Sequence, residues 1–238
     1  IVTSLGLGLT VLVAVASIEG NLRNEIEQTL PDRAPGFFFI DIQPNQVGEF
    51  EAAVSDVEGV EDIKRTPILR GRITRIAGVP VAKARYEPHV RWMIRGDRGL
   101  TWAARPPDAS RVIAGKWWSS DYDGAPLISL SEDAAGGFGI TVGDTLTVDI
   151  LGREVTAKIA NLRSVNWRSM QMDFVMIFSP GVIESAPQTI VATVRAKQDA
   201  ETEIERAVTG RFANITAIRI REVLQTVSEM LSRMSAVV

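Results

Sequence analysis

The first 18 residues form an uninterrupted apolar run, with no charged side chain before Glu19. As a helix, a run of this length extends about 27 Å, close to the roughly 30 Å of a bilayer core. It has neither a starting methionine nor a basic flank, so it does not match a signal peptide. The run predicts the outer end of a transmembrane helix in a longer membrane protein; a buried helix of a soluble protein is the alternative.

An amphipathic pattern continues directly from this run. Its apolar stripe consists of Ile18, Leu22, Ile26 and Leu30, spaced by four, and Pro31 ends it. Acidic residues outnumber basic residues between 19 and 33, whereas cytoplasmic flanks usually carry an excess of Lys and Arg. The stripe therefore predicts a stalk helix on the outer side of a membrane.

A second helical stripe occupies the last stretch of the chain. Its apolar positions are Ile220, Val223, Leu224, Val227, Met230, Leu231, Met234 and Val237. No Gly or Pro ends the pattern, so we expect the helix to continue beyond residue 238, with further transmembrane helices after it. Pairing of the stripes would bring Leu22, Ile26 and Leu30 against Val227, Met230, Leu231 and Met234, forming a coupling stalk. Packing of the first half of this helix on the domain's own sheet is the alternative.

Two β-α-β patterns lie between these stripes. The first predicts a strand at 37–42, a helix that begins at Pro44-Asn45 and ends at Gly59, and two strands, 60–65 and 69–76, on either side of Pro67. The second predicts a strand at 189–194, an N-cap at Asp199, a helix through Phe212 and a strand at 215–220. We predict that both units form one discontinuous domain, with helices on one face of a mixed sheet.

The segment between the two units has the pattern of short strands and turns. Strands are predicted at 127–130, 145–150, 153–161 and 173–178, with a hairpin loop at Leu151-Gly152 and a turn at Gly143-Asp144. Pro106-Pro107 and Ala186-Pro187 mark the edges of this β-rich insert.

The predicted fold class is α+β, with five segments. Residues 1–18 end a transmembrane helix, residues 19–100 and 188–220 form the split α/β subdomain with its N-terminal stalk helix, residues 101–187 form the β-rich insert, and residues 221–238 form the C-terminal stalk helix.

Composition excludes several classes of function. Of the 238 residues, 45% are hydrophobic and 23% are charged, which is typical of a globular chain. The net charge of −3 gives no electrostatic footprint for nucleic acid. The chain has no cysteine, so disulfides, thiolate zinc sites and a cysteine nucleophile are excluded.

Motifs for catalysis or cofactor binding are incomplete. His89 is the single histidine, and we interpret it as a solvated loop residue. Asp121 and Asp123 with Glu132 have part of a calcium-loop spacing, but Pro126 stands where glycine is required. Gly6-x-Gly8 lacks the third glycine of a dinucleotide fingerprint, and the chain has no phosphate-binding loop. We predict no catalytic, cofactor or metal residues.

Two groups of side chains are candidates for a partner surface. Trp117 and Trp118 are adjacent, and tryptophan is enriched at interfaces, although core packing is the alternative. The second group is a dense basic set: Arg70, Arg72, Arg75, Lys83, Arg85, Arg91 and Arg95. A solvated sheet face and a docking surface for an acidic partner or headgroup are both compatible with it.

Four local phrases follow one another in the β-rich insert. They are Gly115-Lys116-Trp117-Trp118, Pro126-Leu127-Ile128-Ser129-Leu130, residues 139–146 (GITVGDTL) and residues 157–163 (AKIANLR). In this order, between two β-α-β units, they resemble the periplasmic region of FtsX/MacB-like ABC transporter permeases. Residues 166–178 resemble the branch of that family with ten transmembrane helices. The chain departs from the pattern by a longer turn at 132–139.

The resemblance implies a fold and a function. The split α/β subdomain would be Porter-like and the β-rich insert Sabre-like. The chain would be a non-enzymatic domain that faces the periplasm from the bacterial inner membrane and couples ATP-driven motion of the transmembrane helices to substrates or partners outside. A cognate ABC ATPase would be a separate subunit. A periplasmic accessory protein or a lipid-like substrate is an option for the partner, and a dimer is an option for the full transporter.

The alternative function is a membrane-anchored or secreted hydrolase or binding domain. Ser131 or Ser129 would then be the nucleophile. A hydrolase of this kind needs a base beside its serine, and the chain has no Gly-x-Ser-x-Gly motif.

Overall fold

A computed structural model describes residues 36–108, 110–165, 172–223 and 226. The predicted membrane segment 1–18 lies outside these residues. So do the stalk positions Leu22, Ile26, Leu30, Val227, Met230, Leu231 and Met234. Within the described ranges, no helix combines the length and apolar character needed to cross a bilayer.

The described chain is mostly β-structure. Its strands are β1 (Phe37–Ile42), β2 (Val60–Ile76), β3 (Val79–Pro80), β4 (Arg98–Trp102), β5 (Ser110–Gly115), β6 (Leu127–Ser131), β7 (Thr145–Ile150), β8 (Arg153–Val165), β9 (Met176–Phe178), β10 (Thr189–Ala196) and β11 (Thr216–Arg219). Its α-helices are α1 (Val47–Ser55), α2 (Arg91–Ile94), α3 (Glu132–Phe138) and α4 (Glu201–Thr209). Short 3-10 turns at Pro44–Gln46, Pro88–Val90 and Gln198–Ala200 precede α1, α2 and α4.

The two predicted β-α-β units interleave in one sheet, which we call the split layer. Its strand order is β11-β1-β10-β2, so β10 separates the strands joined by α1, and β1 separates the strands joined by α4. Helices α1 and α4 contact each other. The buried core beneath them includes Phe37, Phe39, Phe50, Ile204 and Val208. The prediction of a mixed sheet is wrong for this layer, because every neighbouring pair in it is antiparallel.

Six strands, one of them β2, close into a barrel. The pairings run from β2 to β4, β9, β6, β8 and β7, and β7 pairs again with β2. All six strands contribute to one buried cluster that includes Leu69, Leu100, Ile128, Val148 and Phe178. Residues of α2 and α3, including Met93 and Phe138, pack on the same cluster. These six strands thus form a closed barrel with a filled interior, and β2 contributes to it from outside the predicted insert.

Strand β2 belongs to both regions. It pairs with β10 up to Ile68 and with β4 from Leu69 onwards. The prediction of two strands around Pro67 is wrong, because the 17 residues of β2 form one strand, which at about 3.3 Å per residue extends about 55 Å. Pro67 pairs only with Ile190 of β10, and proline is accepted in a strand where one edge has no ladder partner.

Packing also divides the chain differently from the predicted subdomain boundary after residue 100. Leu69, Ile73, Ile76, Met93 and Leu100 all pack in the barrel cluster. The change from one core to the other therefore falls within β2, near Leu69. The division into two subdomains itself stays a prediction.

Several local predictions match the described elements, and others need correction. Strands β1 and β7 have the predicted bounds, and Leu151 (φ 54°) with Gly152 (φ 87°) forms the predicted two-residue hairpin loop. Strand β8 extends to Val165, and β9 begins only at Met176. Asp199 does not cap α4, because it lies inside the 3-10 turn before that helix and Ala200 occupies the N-cap.

Candidate functional site

The described domain begins and ends at adjacent positions of the split layer. Phe37, the first residue of β1, pairs with Arg219, the last residue of β11. The Ile220 amide donates to the Gly36 carbonyl at 3.1 Å, and the Gly36 amide donates to the Val194 carbonyl at 2.9 Å. The chain therefore enters and leaves this domain side by side, which is the geometry required for two flanking segments to run together.

The segment through which the chain leaves the domain is held to helix α4 by ion pairs. The Arg219 guanidinium binds Glu205 of α4, lies 3.3 Å from Glu222 and sits over the Phe37 ring at 5.7 Å. The hydrogen bond to Glu205 raises the pKa of Arg219. Arg221 lies 3.8 Å from Glu201, which is buried at the start of α4. We call this set of Arg219, Arg221, Glu201, Glu205 and Glu222 the exit cluster.

Trp117 and Trp118 lie on the outside of the barrel, in contact with other apolar residues. Their ring centroids are 4.3 Å apart, and each indole N–H donates to a backbone carbonyl, of Ala104 and Ala103 respectively. Trp118 is 7% exposed and packs with Phe174 and Ile177, while Trp117 is half-buried. Little of the Trp118 surface is thus open to a partner, and a binding role for the pair stays a prediction.

The serines named as candidate nucleophiles have structural hydrogen bonds. The Ser129 hydroxyl donates to the Asn161 side-chain carbonyl and accepts from Arg163 Nε at 2.7 Å. The Ser131 hydroxyl accepts from the Ala134 amide at 3.3 Å and caps α3. Both serines are buried. These contacts place Ser129 beside a guanidinium and an amide, and neither group serves as a general base at neutral pH.

Sequence reasoning missed a buried ionic network centred on Arg163. This side chain is 0% exposed, and its guanidinium donates to Asp173 at 2.7 Å, Ser110 at 3.2 Å and the Phe174 carbonyl at 2.6 Å. Burial lowers the pKa of Arg163, and the contact with Asp173 opposes that shift. The network ties β8 to β5 and to the residues before β9.

A bulge in β8 explains why this network lies outside the barrel interior. Val155, Ala157 and Ile159 face the interior, but the register shifts after Ile159, and Leu162 contacts the interior cluster instead of Asn161 or Arg163. Strict alternation along β8 would place Arg163 in the barrel core. The alternation pattern in the sequence therefore indicates the wrong face for this residue. Gly115 packs against the bulge, where a Cβ would lie 2.2 Å from the Ala160 carbonyl oxygen.

The other candidate residues lie at the surface. His89 Nε2 lies 3.9 Å from Asp133, and both side chains are exposed. Among the described residues, no three His, Asp or Glu side chains are grouped in a way that suits a metal ion. Lys83, Arg85, Arg91 and Arg95 of the predicted basic set are exposed, as are Arg70 and Arg72 on the outward face of β2.

An open groove of about 480 Å³ lies where the split layer meets the barrel. Its lining includes Asp62, Lys64, Thr66, Pro107 and Arg195. Charges of both signs alternate here, and Lys64 pairs with Asp108 across the groove at 2.5 Å. The groove has no single-sign potential that would select a charged ligand.

Comparison with known proteins follows this geometry. An uncharacterized ABC transporter permease of Escherichia coli (strain K12), YbbP, is 28% identical over 193 residues, which cover 81% of this chain. The chain is homologous to an ABC transporter permease. It spans only 23% of the length of that relative. No protein-family model matches the chain.

A solved structure is also similar. It is the crystal structure of a domain of a candidate permease protein from Porphyromonas gingivalis, with a TM-score of 0.37 and 12% sequence identity. The match covers 79% of this chain and 90% of that domain.

Proposed function

We propose that this chain is the extracytoplasmic domain of an ABC transporter permease of the FtsX/MacB-like type. The similarity to the E. coli permease over 81% of the chain carries this proposal. In the proposed arrangement the domain faces the periplasm from the bacterial inner membrane. A separate ABC ATPase subunit supplies the energy, and the domain itself performs no chemistry.

The paired ends of the domain support a mechanical role. A domain inserted between two membrane-linked helices must receive both at one point, and Gly36 with Ile220 provides such a point. Residues 19–30 and 223–237 each carry one apolar stripe, and interdigitation of such stripes buries Leu and Ile side chains worth roughly 1.5 to 3 kcal/mol each. The two helices then form the stalk.

The exit cluster gives the stalk a route into the domain. Movement of the C-terminal stalk helix displaces Arg219 and Arg221, and these side chains are bound to Glu205 and Glu201 of α4. Because α4 packs on α1 and on the sheet, the whole split layer moves with the stalk. The barrel follows through the continuous strand β2.

Cysteine cross-linking tests the stalk directly, because the chain has no native cysteine. We expect Leu22→Cys or Ile26→Cys to form a disulfide with cysteine at Val227, Met230, Leu231 or Met234 in membranes. The control is Gln28→Cys, which lies off the apolar stripe and should not react. The stalk proposal fails if no on-stripe pair forms under resting or turnover conditions.

A functional measurement complements the cross-link. Leu22→Asp or Leu231→Asp places a charge in the proposed seam and should uncouple transport from ATP hydrolysis while the barrel stays folded. Gln28→Asp introduces the same charge off the stripe and should leave coupling intact. Equal effects of Leu22→Asp and Gln28→Asp would contradict a specific seam.

A further inference from the structure

Basic side chains are concentrated in one section of the chain. Residues 69–98 contain eight Lys or Arg and two acidic residues, a net charge of +6. The whole chain has a net charge of −3, so the other residues together carry −9. This section holds the barrel half of β2, helix α2 and the start of β4, and its net charge is opposite in sign to that of the rest of the chain.

An exposed tryptophan lies in the same section. Trp92 of α2 is 49% exposed, and the Arg98 guanidinium lies over its ring at 5.3 Å. Arg98 also donates to the Arg95 carbonyl at 2.5 Å, which fixes the guanidinium against the indole. A cation over an indole face contributes about 0.5 to 1 kcal/mol at an exposed site.

Further arginines surround this pair. Arg91 and Arg95 are exposed at the two ends of α2, and Arg98 is paired in register with Gly71 of β2. Arg70 and Arg72 flank Gly71 and point outward. We call the set Arg70, Arg72, Arg91, Trp92, Arg95 and Arg98 the arginine patch.

Two carboxylates border the arginine patch without neutralising it. Asp97 accepts from Arg72 at 3.0 and 3.1 Å, and Asp149 lines the shallow groove between Arg70, Arg72 and the β7–β8 hairpin. Five arginines against two carboxylates leave a positive surface. Leu151 at the hairpin tip, 65% exposed, adds an apolar contact at its margin.

We propose that the arginine patch binds an acidic segment of a partner protein. Its cations are all arginine, whose planar guanidinium binds carboxylates through two parallel hydrogen bonds. Trp and Arg are also the residues most enriched among those that dominate binding energy at protein interfaces. The occupant is therefore a peptide segment that carries Asp or Glu side chains and an apolar group to cover Trp92.

The position of the patch favours a protein over the lipid surface beneath the domain, a step that rests on the proposed function. Ile63 of β2 lies level with Phe37 and Arg219, through the register of β10 and β1. Arg70 is seven residues further along β2, or about 23 Å. Lipid headgroups at the base of the stalk cannot reach a surface at that height.

The experiment measures binding of a fluorescein-labelled peptide of 12 glutamates to the 238-residue chain in nonionic detergent, by fluorescence anisotropy. A peptide of 12 glutamines is the uncharged comparison. Arg91→Gln with Arg95→Gln removes two exposed charges, and Trp92→Ala removes the aromatic group. Lys197→Gln with Arg211→Gln removes two exposed charges of the split layer and serves as the charge-matched control. Circular dichroism verifies that each variant is folded.

We expect the glutamate peptide to bind with an affinity that falls as salt is added, and the glutamine peptide to bind with far lower affinity. The Arg91/Arg95 variant should lose about tenfold in affinity, and the control should bind like the native chain. Trp92→Ala should lose several-fold in affinity for a glutamate peptide that also carries one leucine. Equal losses of affinity in the Arg91/Arg95 variant and the control would show that the arginine patch is not the binding site. Binding to phosphatidylglycerol in mixed micelles with the same detergent, without binding to the peptide, overturns the choice of a protein partner. A failed stalk cross-link leaves this result unaffected, so the two proposals fail separately.

Discussion

The split layer and the barrel region are built from different kinds of buried contact. The core of the split layer is apolar, with the Phe39 ring in contact with the rings of Phe37 and Phe50 and two helices covering it. The wall of the barrel instead holds a buried cation, Arg163, with Ser129 and Asp173. Apolar burial is tolerant of small displacements, whereas a buried ion pair is stabilising only in one geometry. The barrel region should therefore be the more sensitive of the two to a single substitution.

The largest expected effect is that of Arg163→Met. The change removes the guanidinium and leaves the Asp173 carboxylate buried without its partner, which costs about 3 to 5 kcal/mol of the free energy of unfolding. Urea unfolding measures this loss, and hydrogen exchange should locate it in β8 and β9. Arg163→Met combined with Asp173→Leu should restore most of the stability. A loss under about 1 kcal/mol for the single variant would mean that the network is dispensable.

Ile204→Ala is the matching test of the split layer. Ile204 of α4 is fully buried, and truncation to alanine removes apolar contacts at a cost of about 3 kcal/mol. Ile204→Val should cost only about 1 kcal/mol. Hydrogen exchange should accelerate in β1 and α4 while the barrel amides stay protected. Equal acceleration in both regions would show that they unfold as one cooperative unit, and the comparison would then break down.

A smaller effect is expected at the junction of the two regions. Trp102 of β4 donates from its indole to Gln188 at 3.0 Å, and Gln188 donates to the Glu184 carbonyl at 3.0 Å, just before β10. Gln188→Ala removes both bonds and should cost about 1 kcal/mol. Gln198→Ala, an exposed position in the split layer, is the control and should be neutral. Equal thermal unfolding of the two variants would show that these hydrogen bonds do not stabilise the junction.

The smallest expected effect has the opposite sign. Leu151 holds a positive φ of 54° at the tip of the β7–β8 hairpin and is 65% exposed. Asparagine adopts this backbone conformation more readily than leucine, so Leu151→Asn should stabilise the barrel by about 0.5 kcal/mol. Thermal unfolding detects the gain. Leu151→Val, which is β-branched, should destabilise it; a gain from valine would contradict the backbone explanation.

Local patterns predicted several single elements, but not the direction of the strands in the split layer or the closure of the barrel. The apolar run at 37–42, the helix after Pro44 and the Leu151-Gly152 loop are encoded in neighbouring residues, and the structure has a strand, a helix and a hairpin loop there. Closure depends on pairs distant in sequence, such as β2 with β7, which no local pattern specifies. Pro67 suggested a break between two strands. Its missing N–H disrupts a strand only where a partner strand needs that donor, and local sequence does not show where partners lie.

The candidate sites show the same limit. The exit cluster and the Arg163 network depend on which distant side chains meet, and the register shift after Ile159 reverses the face on which Arg163 lies. The basic set was visible in the sequence because charge density along the chain needs no knowledge of contacts. Its grouping around Trp92 required the structure, since Arg98 reaches that ring from the following strand.

Both hydrophobic cores depend on the spacing of residues along strand β2. Ile63, Leu69 and Ile73 occupy odd-numbered positions of one strand, with Ile63 packing against the split layer and the other two inside the barrel. Because side chains alternate with a period of two, deletion of a single residue between Ile63 and Leu69 would turn Leu69 and Ile73 outward and Ile68 and Arg70 inward. Natural relatives should therefore vary in side-chain identity along this interval but keep its length, and insertions should be confined to the loops at either end.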